Sequence, residues 1–143
     1  MENYMKISFP AKSCNEAFSR AVVGAFATQL DPTCEELADI KTAVSEAVTN
    51  SIIHGYDGRK GEVEIVCKIT GCKIIVIITD QGRGIDDIEL AMQPLYSGNP
   101  SEERSGMGFT VMESFMDTLD VKSQLEIGTT ITMTKNIGMN FYE

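Results

Sequence analysis

The sequence predicts an α/β domain, and three observations predict it. Its apolar residues switch along the chain between the spacing of a helix and the alternation of a strand. The elements so read run βααββ, then a long glycine-rich stretch, then αββ. With 43% hydrophobic and 23% charged residues in 143, the chain has ordinary globular usage and enough length for one hydrophobic core, so a single domain over 1–143 is expected.

Tyr4 to Phe9 alternates as a strand and Pro10 ends it. Within Asn15 to Leu30, the residues Phe18, Ala21, Val22, Ala25 and Phe26 make the stripe of an amphipathic helix. Pro32 disfavours helix at Asp31, and Thr33 with Glu36 three residues on can form a capping box for a second helix. That helix carries Leu37, Ile40, Val44, Ala47 and Val48 on one arc and continues to Gly55. Glu62 to Ile69 and Cys72 to Thr79 are β-rich runs joined by a hairpin turn at Thr70-Gly71. Gln81 to Gly108 holds five glycines and two prolines without sustained periodicity, as expected of a binding loop or lid. A helix over Phe109 to Met116 and strands over Thr118 to Ser123 and Thr129 to Thr134 follow, with a frayed tail from about residue 136.

The net charge of −9 argues against a nonspecific nucleic-acid surface, which needs cations to meet phosphates. Any polyanionic ligand must then be met locally, by backbone N–H groups, a helix N-terminus or a metal. The longest apolar run, Ile74 to Ile78, is strand-sized, so no membrane span is expected. MENYMKISFP has the features of no secretion signal. Cys14, Cys34, Cys67 and Cys72 lack C-x-x-C spacing, the pattern of reduced structural thiols in a cytoplasm rather than of disulfides or zinc.

Three polar islands carry the chemistry. Glu46 and Asn50 sit one turn apart in SEAVTNSIIHGYD, off the apolar arc; a solvated helix face is the plain reading and a paired site the sharper one. In Asp80-Gln81-Gly82-Arg83-Gly84 an acid at a strand exit precedes two glycines, which suit either a simple turn or a backbone that approaches a ligand closely. Ser105-Gly106-Met107-Gly108-Phe109 runs from loop into helix, where glycine N–H groups can cradle phosphate. Neither G-x-x-x-x-G-K-[ST] nor a Rossmann G-x-G-x-x-G is present, so P-loop and dinucleotide readings drop out.

Taken together, E-x-x-x-N, D-x-G-x-G, G-x-G and Gly128-Thr129-Thr130, in this order, resemble the N, G1 and G2 boxes of the GHKL ATP-binding superfamily. SEAVTNSIIHGY, Gln93-Pro94-Leu95-Tyr96 and Glu103-Arg104-Ser105-Gly106-Met107-Gly108-Phe109 are similar, more closely, to the anti-sigma-F family of serine kinases from spore-forming bacteria. The resemblance implies a Bergerat-type two-layer α/β sandwich: a mixed, mainly antiparallel sheet with helices on one face and a flexible ATP lid at about 86–108. It implies Glu46 as general base, Asn50 as a Mg²⁺ ligand, and Asp80 as acceptor for the adenine amino group. Gly82 and Gly84 would pass close to the base, Ser105, Gly106 and Gly108 would meet the phosphates, and Thr130 would support the adenine pocket.

Arg20 on the first helix would serve partner binding, with a solvated arginine as the competing reading. His54 reads as a structural hydrogen-bond partner. Arg104 would steady phosphates or solubilise the lid. The implied cofactors are ATP and Mg²⁺. The implied partners are a sigma factor and, as phosphorylation substrate, its anti-anti-sigma antagonist, with homodimerisation through the first strand's edge, no nucleic acid and no membrane. A nucleotide-gated binding module lacking kinase activity, or a stress-response relative with another sigma factor, shares the same motifs.

Overall fold

The computed structural model describes residues 2–93 and 103–138, with the backbone alone for 103–107. Strand β1 (Glu2–Pro10) leads to helices α1 (Cys14–Ala27) and α2 (Cys34–Thr49), with a 3₁₀ turn at Thr28–Leu30 between them. A π-helical turn (Asn50–Tyr56) extends α2 and leads to β2 (Glu62–Thr70) and β3 (Lys73–Asp80). The short α3 (Ile88–Ala91), then α4 (Glu103–Phe115), β4 (Thr118–Gln124) and β5 (Gly128–Asn136), complete the order.

The five strands form one sheet in the order β1-β2-β3-β5-β4, and every pair is antiparallel rather than mixed. Hairpins join β2 to β3 and β4 to β5, and the two remaining neighbouring pairs, β1 with β2 and β3 with β5, are antiparallel as well. Alternation sends Val63, Ile65, Cys67 and Ile69 of β2 and Ile74, Val76 and Ile78 of β3 to one fully buried face. On that face lie α1, α2 and α4, with α2 packed between the other two. Among the described residues no helix covers the opposite face.

The capping box at α2 is present: the Thr33 hydroxyl accepts from Glu36 N–H at 3.0 Å and Thr33 N–H donates to the Glu36 carboxylate at 2.9 Å. Asp31 turns left-handed at φ 53°, so the Pro32 boundary is real. Helix α1 departs from the expected stripe. Its buried face is Ser19, Val23, Gly24, Phe26 and Ala27, while Phe18, Ala21 and Ala25 are exposed. A polar residue can occupy the buried face because the Ser19 hydroxyl donates to the Glu16 carbonyl at 2.7 Å. Phe18 instead stands edge-on to Phe9, with ring centroids 6.1 Å apart.

One boundary also moves and one short helix is added. Helix α4 begins at Glu103 rather than Phe109, taking in Ser105, Gly106 and Gly108, and α3 adds a turn within what reads as loop. Pro94, Leu95 and Tyr96 of the lid motif lie outside the described residues, as does the tail beyond Gly138. Up to that point the tail is held: Ile137 is buried and Gly138 N–H donates to the Glu36 carboxylate at 3.0 Å.

Candidate nucleotide site

A cavity of about 340 Å³ opens between the π-turn, the loop after β3, the middle of α4 and the start of β5. Asn50, His54 and Gly55 come from the π-turn, Asp80 from the end of β3, Phe109 from α4 and Thr129 from β5. Ile85, Leu125 and Ile131 add apolar wall, which suits the flat faces of a heterocycle.

Asp80 is on the buried face because it continues the alternation of Ile74, Val76 and Ile78. It is 4% exposed, a burial that an acid tolerates only with partners. Gly82 N–H donates to its Oδ1 at 2.9 Å, and the nearby Ser51 hydroxyl and Thr129 backbone also favour its charged form. Loss of water outweighs these bonds, so its carboxyl titrates above the ordinary range. A buried, fixed acceptor is thus held at the cavity wall.

The loop beyond it needs glycine for space. A side chain at Gly82 would strike the Gly55 backbone, and Gly84, at φ +76°, lies against the Gln124 carbonyl. Arg83 is tied between these neighbours, its N–H donating to the Gly55 carbonyl at 2.8 Å and its carbonyl accepting from Glu126 N–H at 2.8 Å.

Glu46 and Asn50 lie at the side of the cavity. Both are partly buried, because α4 covers a helix face that the sequence alone leaves to solvent. A methyl group at Gly108 would sit 3.2 Å from Glu46 Oε2 and 3.4 Å from Asn50 Nδ2, so the carboxylate and amide converge on one point of α4. One end of the Asn50 amide is buried without a partner among the described residues, and a half-turn of the amide would exchange its oxygen and nitrogen there. An orphaned polar end beside a cavity is a group that a bound ligand would satisfy. Gly108 itself is the sixth residue of α4, where a regular helix uses its N–H internally. In this structure its small size, not a free N–H, is what the site uses.

Asn50, Asp80 and Gly84 therefore line the cavity, with Gly82 directly behind it and Glu46 and Gly108 beside it. Ser105 and Gly106 fall in the first turn and a half of α4, where helix N–H groups lack internal partners, and the Ser105 side chain lies outside the described residues. Thr130 is displaced by one residue from its expected role. It faces away from the cavity toward Thr79, their hydroxyls 3.5 Å apart, and Thr129, paired with Asp80, takes the cavity position. The period of two decides this: once Asp80 faces the core, its cross-strand partner must do so too. Arg20 is remote from the cavity lining and pairs with Glu16 at 3.4 Å on the exposed side of α1. Ser51, Tyr56 and Phe109 were not among the expected site residues, although all three stand within the matched runs.

The family model described as the histidine kinase-like ATPase domain matches residues 9–135. An anti-sigma F factor of Clostridium kluyveri is 58% identical over 94% of this chain and 94% of its own. One from a Thermoanaerobacter species is 59% identical over 95% of each. Among solved structures, the Erythrobacter litoralis EL346 blue-light activated histidine kinase superposes with TM-score 0.62 at 18% identity, covering 86% of this chain and 43% of that one. The catalytic domain of histidine kinase ThkA aligns over 94% and 96% of the two chains with TM-score 0.55 at 11% identity, a likeness of fold.

Proposed function

The chain belongs to the anti-sigma F factor family, built on a histidine kinase-like ATPase domain, and on that premise we propose that it is an ATP-dependent protein serine kinase. It binds and inhibits a sporulation sigma factor, and it phosphorylates a serine of that factor's anti-anti-sigma antagonist. The observation that carries this reading is the convergence of Glu46 and Asn50 on Gly108, beside a cavity that also holds a buried Asp80.

Each group has a task suited to its chemistry. Asp80 offers a fixed acceptor to the exocyclic amino group of adenine, while Ile85 and Ile131 meet the ring. Asn50 supplies an amide oxygen of the kind Mg²⁺ prefers. When bound, Mg²⁺-ATP supplies the phosphoryl group, its bond to the β-phosphate oxygen breaking as the bond to serine oxygen forms. Glu46 orients the attacking serine hydroxyl and accepts its proton. A carboxylate is a weak base for serine, so its help comes late in a loose transition state.

The exposed side of α1, with Phe18, Arg20, Ala21 and Ala25, is the surface we assign to the protein partners. Strand β1 is an edge of the sheet and would join two copies.

The test is transfer of label from γ-labelled ATP, with Mg²⁺, to the antagonist protein from the same genome, with ATP binding measured in parallel. Wild type should label a serine. Glu46→Gln should bind ATP within about twofold of wild type and transfer about a hundredfold more slowly. Tight ATP binding by wild type without transfer would instead favour a nucleotide-gated binding module.

A further inference from the structure

Strands β2 and β3 pair in register from Thr70 against Lys73 to Val63 against Asp80. The next rung would set Glu62 against Gln81. It does not form, although Glu62 remains in β2 and still pairs with Pro10 of β1. The Tyr56 hydroxyl stands in its place, donating to the Glu62 carbonyl and accepting from Gln81 N–H at 2.8 Å. A side-chain oxygen thus bridges the two strands one residue past Asp80. The strands part there while both backbone groups stay satisfied.

The bridge is rigidly mounted. Tyr56 is 5% exposed, and the absent side chain of Gly61 leaves room for its ring. It is the last residue of the π-turn, which also delivers Gly55 to the Asp80 carboxylate; a methyl group at Gly55 would lie 3.0 Å from Oδ1. Gly55 also holds the far end of the loop, its carbonyl accepting from Arg83 N–H at 2.8 Å. Gln81 and Arg83, on either side of the Gly82 N–H that bonds Asp80, are therefore both tied to the end of the π-turn.

We infer that Tyr56 is a positioning residue for purine selectivity: by ending the β2–β3 ladder with its hydroxyl, it sets the angle at which Asp80 meets a 6-amino purine. This rests on the proposed nucleotide-binding function. The hydroxyl touches no nucleotide itself; it acts through the backbone of Gln81 and the carboxylate of Asp80. Phenylalanine would keep the ring and its packing but leave the Gln81 N–H and Glu62 carbonyl free to close the missing rung or to take water.

The test compares Mg²⁺-ADP with Mg²⁺-IDP, which carries oxygen in place of the 6-amino group, on the full chain and on Tyr56→Phe by calorimetry. Wild type is expected to prefer ADP. In Tyr56→Phe the ADP-to-IDP affinity ratio should fall about fivefold, the scale of one net hydrogen bond. A purely structural role would weaken both nucleotides alike; an unchanged ratio overturns the inference. Failure of wild type to bind ADP overturns the nucleotide-binding reading itself, a separate result. A further measurement needs no variant: amide exchange in wild type should show the Gln81 N–H protected although Gln81 is an exposed residue. Rapid exchange there overturns the bridge whether or not Tyr56→Phe folds.

Discussion

At the scale of single residues, the site depends on where side chains are missing as much as on where they are present. Gly108 is the clearest case, because it sits inside a helix, where glycine costs about 1 kcal/mol relative to alanine. Its slot is instead filled by Glu46 Oε2 and the Asn50 amide. Gly108→Ala is therefore expected to leave the midpoint of denaturation unchanged or raised, while phosphoryl transfer to the antagonist falls tenfold or more. Denaturant melts and labelling with γ-labelled ATP would check the two together; loss of both stability and activity would mean that the methyl group disrupts α4 rather than the pair. The sequence shows Glu46, Asn50 and Gly108 as motif letters. It could not show that α4 closes over the first two, since helix periodicity reports only which side of α2 meets the sheet, not what a later helix lays over its flank.

At the scale of elements, α2 is held at its start as firmly as it is used at its end. Its capping-box Glu36 serves Thr33 and also reaches across to Gly138 N–H just beyond β5. Lys135 reinforces the same junction, donating to the Phe115 carbonyl at 2.8 Å and lying 3.7 Å from Asp39. Partial burial works to raise the Glu36 carboxyl, but hydrogen bonds from Gly138 and Thr33 and the charge of Lys135 outweigh it, and the group titrates below its usual 4.5. A lowered folded value means that the ionised form stabilises the fold. That contribution is complete above pH 4.5 and disappears as the pH falls through the lowered folded value. Glu36→Gln should then be less stable than wild type by about 1 kcal/mol at pH 7. The gap should narrow as the pH falls below 4.5, as read by urea unfolding at pH 7 and across the acid range. The capping box itself was legible from Thr33 and Glu36, because it is a contact over three residues. The bond to Gly138 spans 102 positions and was not.

Over the whole molecule, one face of one sheet bears the core, and the site lies at the end of that face where β3 ends and β5 begins. Cys67 marks the centre. It is fully buried on β2, paired with Met5 on one side and Val76 on the other, and burial pushes its thiol up to about 12. Cys14, Cys34 and Cys72 are exposed. A thiol reagent at neutral pH should modify three cysteines promptly and the fourth only at the rate of global unfolding, a kinetic measure of the fold's stability. Prompt reaction of all four would show that β2 opens locally. No helix among the described residues is long and apolar enough to cross a membrane. The sequence by itself determined the order of the strands and of the three longer helices, the α2 cap, the acid at the exit of β3 and the family motifs, because each is a local pattern or a match of ordered residues. Tertiary structure decided which face of α1 is buried, that Thr129 rather than Thr130 joins Asp80, that α4 shelters Glu46 and Asn50, and that a tyrosine ends the ladder. Those depend on register and on contacts between distant segments, which no spacing along the chain encodes.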